Sequence, residues 1–269
     1  MGQAIDDAKL EFAAKNYHLA VKFSQYQLAR EPEDFESLKI YGLASLATGQ
    51  LDAGIEALEE ATLIAPLEDD LRIELAIAYG WSGRFKLSCD LLMSIATRGN
   101  ATVEQLLRIA AGLEYIDKPR LAMEACRRAG VLDPEHAEIH FQMGHYAEKC
   151  GVPDATIEAL IRRALDLEPY NLSYRVGLAS MLIRLGRKDE AADVLTLVVP
   201  QRLSEITCKA CLKRFANLFF DRNRIDTSRL CAIRLAELEE QTPSRNQQSV
   251  LESPKQADHK GRTADRDVA

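Results

Sequence analysis

Proline and glycine recur along this chain with one shared spacing, and that periodicity limits the possible folds more than any other feature. Pro32, Pro66, Pro134 and Pro169 stand 34, 68 and 35 residues apart, and Gly49, Gly83, Gly151 and Gly186 are separated by the same 34, 68 and 35. One residue type lacks an amide donor and the other readily takes a left-handed backbone, so they act at different points of a helix. Two such series sharing a period mark a repeated unit.

Cut at that period, the chain aligns as segments 1–34, 35–68, 69–102, 103–136, 137–171, 172–205 and, more loosely, 209–242. Each holds two helix-length amphipathic patterns around a short turn, such as Thr48-Gly49-Gln50-Leu51, Ser82-Gly83-Arg84-Phe85, Cys150-Gly151-Val152 and Leu185-Gly186-Arg187-Lys188. Glycine ends the first helix, and proline, or Asn100 in the third segment, follows the second. Every unit therefore reads as a helical hairpin. Ala8, Gly42, Ala76, Ala110, Gly144, Ala179 and Ala216 fall in register where the two helices of a hairpin cross and let the backbones approach. Leu75, Leu92, Leu106, Met143, Leu178 and Leu195 are expected to fill the seams.

This pattern resembles the tetratricopeptide repeat family, a 34-residue helix-turn-helix with small residues at the eighth, twentieth and twenty-seventh places and proline at the thirty-second. The second segment matches at Tyr41, Gly42, Leu58, Ala61 and Pro66 and departs at Gly54; the fourth matches at Ala110, Ala122, Ala129 and Pro134. The resemblance covers about 1–240 and implies an all-α, right-handed α-solenoid of about seven hairpins. Some members of the family clamp the acidic C-termini of heat-shock chaperones with Lys, Asn and Arg on three first helices. The corresponding places here hold Ile5, Lys9, Ile40, Asp70 and Glu74, so that clamp is missing.

A hairpin cannot bury its apolar face alone, so terminal units should turn polar outward, as Asp6 and Asp7 do in the first. The segment 241–269 has few apolar residues and no period, and reads as a disordered polar tail. A formal charge of −7 and the lack of a basic segment interleaved with aromatics argue against nucleic acid. No apolar run approaches a membrane span, and the N-terminus lacks a secretory apolar region, which points to the cytoplasm. Gly2 suggests no lipid anchor, because Asp6 stands where the myristoylation motif has Ser or Thr.

No phosphate-binding glycine loop, nucleophile elbow or H-E-x-x-H motif occurs, so neither a cofactor nor catalysis is expected. The six cysteines, at 89, 126, 150, 208, 211 and 231, read as reduced thiols buried as small hydrophobes. Cys208, Cys211 and Cys231 allow the alternative of a zinc- or thiol-dependent regulator, since a hairpin turning near 221–224 brings Cys211 and Cys231 to similar heights. His136, His140 and His145 are too poorly aligned on a helix to converge on a metal. Arg127-Arg128 and Arg162-Arg163 repeat on second helices as a basic stripe or a solvated face.

Solenoids bind along an extended concave surface lined by first helices. Helical period places Leu43, Ile73, Ile77, Trp81, Leu107, Tyr115, Phe141 and His145 there, an apolar lining suited to an amphipathic helix or an extended apolar peptide from another protein. The expected role is a protein-interaction scaffold; self-association into a homo-oligomer is the competing one. The same residues also fit burial against neighbouring helices.

Overall fold

The computed structural model describes residues 3–196 and 202–240, and in them the chain forms fourteen α-helices and no strand. They pair in chain order as α1 (Gln3–Ala13) with α2 (Tyr17–Leu28), α3 (Phe35–Ala47) with α4 (Leu51–Ile64), and α5 (Asp69–Trp81) with α6 (Phe85–Ala96). Next come α7 (Val103–Tyr115) with α8 (Pro119–Leu132), and α9 (Ala137–Lys149) with α10 (Asp154–Leu167). The last pairs are α11 (Leu172–Arg184) with α12 (Lys188–Leu195) and α13 (Lys209–Asp221) with α14 (Ile225–Glu240). The fold is thus all-α and built from seven hairpins. The segment expected to be a disordered tail lies outside the described residues.

One turn design closes every hairpin. A left-handed residue follows the first helix at Lys15, Gly49, Gly83, Asp117, Gly151, Gly186 and Asn223, with φ between 57° and 80°. At each of the seven, its amide bonds the carbonyl three residues back and the next amide bonds the carbonyl five back, as in Gly83 to Gly80 and Arg84 to Tyr79. This pattern satisfies carbonyls that the end of a helix leaves without partners. Glycine was the visible marker at four turns; Lys15, Asp117 and Asn223 do the same work in the other three.

Second helices stop for two reasons. Ala65, Asp133 and Glu168 each precede a proline and lie outside the helical region, with ψ of 157°, 92° and 78°. The third unit has Asn100 in the proline place, and there Gly99 turns left-handed at φ 83° instead. Thr102 then opens α7 with a capping box, accepting from the Gln105 amide at 3.2 Å while the Gln105 side chain accepts from the Thr102 amide at 3.1 Å.

The described residues divide into two compact units, one up to residue 178 and one from residue 179 on. Within the first, the crossing residues Ala8, Ala76 and Ala110 are wholly buried and Gly42 and Gly144 are also inside. Gly42 and Gly54 face each other between α3 and α4: a Cβ on Gly54 would lie 2.9 Å from the Gly42 carbonyl oxygen and 2.7 Å from Leu46. Gly54, a departure from the family pattern, is therefore required by the closeness of this crossing. A continuous cluster runs from Ile73 and Leu92 through Leu106, Ile109 and Leu113 to Ile139 and Tyr146, so the third, fourth and fifth hairpins share one core.

Within the second unit, Phe215, Leu218 and Phe219 of α13 are buried together with Cys231 of α14. Ala216 is only half-buried, and its carbonyl accepts from the Ser228 hydroxyl at 2.8 Å. The α12–α13 ends are tied by Lys188 to Asp221 at 2.7 Å and by Arg222 to Asp189. Among the described residues no helix is long and apolar enough to cross a membrane.

Candidate functional site

First helices of unit 1–178 lie beside one another, and their side chains meet across the seams as ion pairs. Lys39 of α3 reaches Glu68, the residue before α5, at 3.7 Å, and Glu36 of its own helix at 2.7 Å; Lys9 of α1 comes within 3.8 Å of Glu36. Arg108 of α7 takes both Asp70 and Glu74 of α5, each at 2.7 Å. Glu114 of α7 accepts from His145 Nε2 of α9 at 2.6 Å and also from Lys149 Nζ. Burial opposes the charge on Glu114, but the hydrogen bonds from Lys149 and His145 outweigh it and hold the carboxyl below its ordinary pKa.

Against this internally paired charge, two large aromatics stand open. Trp81 ends α5 and Tyr115 ends α7, with 48% and 59% of their surface exposed. The Tyr115 ring leans on Gly80, the residue before Trp81: its Cδ1 would be 3.5 Å from a Cβ placed there. Gly80 itself is buried, so this seam is tight.

The other expected groove residues are less accessible. Ile73 is fully buried inside the core and cannot touch a partner, which corrects its assignment to the groove. The physical reason is helical drift. Four residues rotate about 400°, so the row Ile73, Ile77, Trp81 sweeps roughly 80° around the helix, from core to solvent. Ile77 and Leu107 are half-buried against the same core, and Leu43 against the preceding one. Phe141 is half-buried with its ring 4.7 Å from that of Tyr174, over Gly177, where a Cβ would meet it at 2.8 Å. His145 is exposed but engaged with Glu114.

The interhelix ion pairs were missed in the sequence reading, although a signal for them exists. Glu74 and Arg108 are 34 residues apart and occupy the same place of successive units, and Lys149 lies one place beyond the equivalent of Glu114. Asp70 and Glu74, the acidic residues at the clamp places, are the partners of Arg108.

The histidines diverge: His140 Nε2 lies 2.8 Å from the Pro134 carbonyl, His145 serves Glu114, and the buried Nδ1 of His136 has no protein partner. Arg127 and Arg128 both bond Glu124, and Arg162 and Arg163 bond Glu158 and Glu135. Among the described residues no group of three or more His, Cys, Asp or Glu side chains is arranged to hold a metal. A recess of about 580 Å³ between α1 and α2 is lined by Ala4, Asp7, Lys22, Phe23, Tyr26, Gln27 and Arg30, far in sequence from the aromatic pair.

The expectation of six reduced thiols is corrected at one place. Cys208 and Cys211 are joined as a disulfide, leaving Cys89, Cys126, Cys150 and Cys231 free. Cys208 is the N-cap of α13, with φ −77° and ψ 100°, and this non-helical backbone lets its side chain turn back over the first turn towards Cys211.

Comparison with solved structures shows the tetratricopeptide-repeat fold. A tetratricopeptide repeat protein from Parabacteroides merdae superposes with a TM-score of 0.69 at 10% identity, covering 93% of this chain and 96% of its own. A structure described as PilF of Pseudomonas aeruginosa matches with a TM-score of 0.61 at 16% identity, over 83% of this chain and all of that one. YrrB, described as a tetratricopeptide repeat protein with an unusual peptide-binding site, matches with a TM-score of 0.53 at 14% identity, over 68% of this chain and 90% of its own. No protein-family profile matches the chain. No curated protein matches it in sequence either.

Proposed function

We propose that the protein is a non-catalytic interaction scaffold, whose layer of first helices in 1–178 binds a helix or extended apolar peptide of another protein with Trp81 and Tyr115 as anchors. One observation carries the reading: two large aromatics on adjacent helix ends are each about half exposed while the charges around them pair with each other. Aromatic side chains bring large area at small entropic cost and are enriched among binding hot spots. Leu43, Ile77, Leu107 and Phe141 supply a half-buried apolar floor, and His145 a polar edge. The peptide-binding site attributed to YrrB, on the same fold, is consistent with this use.

Trp81 is the single tryptophan of the chain, so its fluorescence reports directly on the site. Peptides selected from a display library on the full-length protein are titrated against it, and the expected result is a saturable change in emission. Trp81→Phe with Tyr115→Ala, followed by calorimetry, weakens the same peptides at least tenfold, whereas Arg127→Glu with Arg128→Glu leaves them unchanged. Full affinity in the aromatic variant, with loss in the arginine variant, overturns the reading in favour of the second-helix face. Self-association through the same surface would instead appear in light scattering as a concentration-dependent mass that the aromatic variant abolishes.

A further inference from the structure

The start of α13 carries chemistry that the interaction reading leaves unused. Cys208 is exposed and stands outside the helix, and Cys211, in the first turn, is 8% exposed. Their Cα atoms are 5.2 Å apart, and the Cys211 amide also donates to the Cys208 sulfur at 3.2 Å. Of the remaining thiols two are wholly buried and two, Cys89 and Cys150, are half-buried. Cys126 and Cys231 are wholly buried, and burial pushes them up to about 12 and about 11; burial raises half-buried Cys89 as well.

We propose that Cys208 and Cys211 form a reversible thiol–disulfide exchange site, with Cys208 as the attacking thiol, Cys211 as the resolving one, and low-molecular-weight disulfides of the glutathione type as reaction partner. A sulfur at an N-cap faces the unpaired amides of the first turn, which favour its anionic form, and the Cys211 amide is aimed at it. Exposure makes the same sulfur the one a bulky partner can reach.

The exchange balances. The Cys208 thiolate attacks one sulfur of the small disulfide, forming a mixed disulfide and expelling one thiolate, which takes up a proton. Cys211 gives its proton to solvent and attacks the Cys208 sulfur, closing the intramolecular bond and expelling the second thiolate. Two protein thiols and one small disulfide become one protein disulfide and two small thiols, with two electrons passing from the protein. In reverse, a small thiol attacks Cys208 and Cys211 departs. The bond closes within a single turn, so either state keeps α13 and its packing on α14.

The test uses the full-length protein, equilibrated in glutathione buffers of graded composition from both the reduced and the oxidised state, then acid-quenched, blocked with a maleimide and mapped by mass spectrometry. Cys208 and Cys211 are expected to lose label together, from both directions and at one ratio, while the other four cysteines keep theirs. Cys211→Ser traps glutathione on Cys208, and Cys208→Ser leaves Cys211 unmodified; Cys211→Ala replaces the first variant should circular dichroism show it unfolded. The inference is overturned by any of three results: the pair stays labelled in fully oxidised buffer, glutathione adds equally to Cys211 when Cys208 is absent, or stoichiometric zinc co-purifies and protects both cysteines.

Discussion

Gly54 of α4 faces Gly42 of α3 so closely that a methyl group on Gly54 would stand 2.9 Å from the Gly42 carbonyl oxygen. The two helices cross here backbone against backbone, and Leu46 closes the remaining space at 2.7 Å. Gly54→Ala is therefore expected to destabilise the protein by about 1–3 kcal/mol, because a fixed carbonyl and a core leucine must both move. Gly130→Ala in α8 is the contrast. Its Cβ would meet only Ile139, at 3.5 Å, so removing a helix-interior glycine should stabilise by about 0.5–1 kcal/mol. Urea titration of both variants checks the sign.

Ala110 occupies the equivalent crossing between α7 and α8 and is wholly buried. Ala110→Leu should destabilise by roughly 1–3 kcal/mol through overpacking, and a neutral result in denaturant would mean that the crossing is looser than its burial implies.

Much of this architecture was legible because repeats write each structural demand several times over. The four glycine turns are visible in the sequence; Asp117 and Asn223 are of types that tolerate the left-handed region but mark it less plainly than glycine, and Lys15 does not mark it at all. At Lys15 the packing of the flanking helices imposes the turn, and local preference is overridden. Gly99 was hidden for a related reason, since it ends α6 one residue ahead of the place where other units carry proline. The candidate site was read less well. Periodicity finds the side of a helix but drifts along it, so the row that ends at half-exposed Trp81 begins at Ile73 inside the core. The joining of Cys208 to Cys211 depends on where α13 starts, and helix boundaries are what pattern reading fixes least well.

The strained turns make a prediction free of packing effects. Lys15 is exposed at φ 62°, a region that disfavours side chains with a Cβ, so Lys15→Gly should stabilise by about 0.5–1 kcal/mol after the added flexibility of the unfolded chain is subtracted. Gly83→Ala should lose about 1 kcal/mol although a Cβ there would have nothing within 4 Å. Thermal unfolding in opposite directions for the two variants would establish that the backbone alone is responsible.

The last prediction concerns pH and the α7–α9 seam. Glu114 is opposed by burial but held below its ordinary value by hydrogen bonds from Lys149 and His145. A carboxyl with a lowered folded pKa binds fewer protons folded than unfolded, so its contribution is complete above the ordinary glutamate value of about 4.3 and is lost as pH falls through the lowered one. Stability should therefore decline between neutral and acid pH partly because the link from Tyr115's end of α7 to α9 comes apart. Other carboxylates share that trend, notably Glu124 beside Arg127 and Arg128 and Glu205 beside Arg202. The informative quantity is thus the difference between the wild type and Glu114→Gln. The variant should be less stable at neutral pH, and the two curves should converge as the pH drops below the glutamate range. Salt should shrink the neutral-pH gap, because Lys149 and His145 are each partly open to solvent. Denaturant titrations at a series of pH values measure this directly, and parallel curves with a constant offset would show that Glu114 acts through packing rather than through its charge.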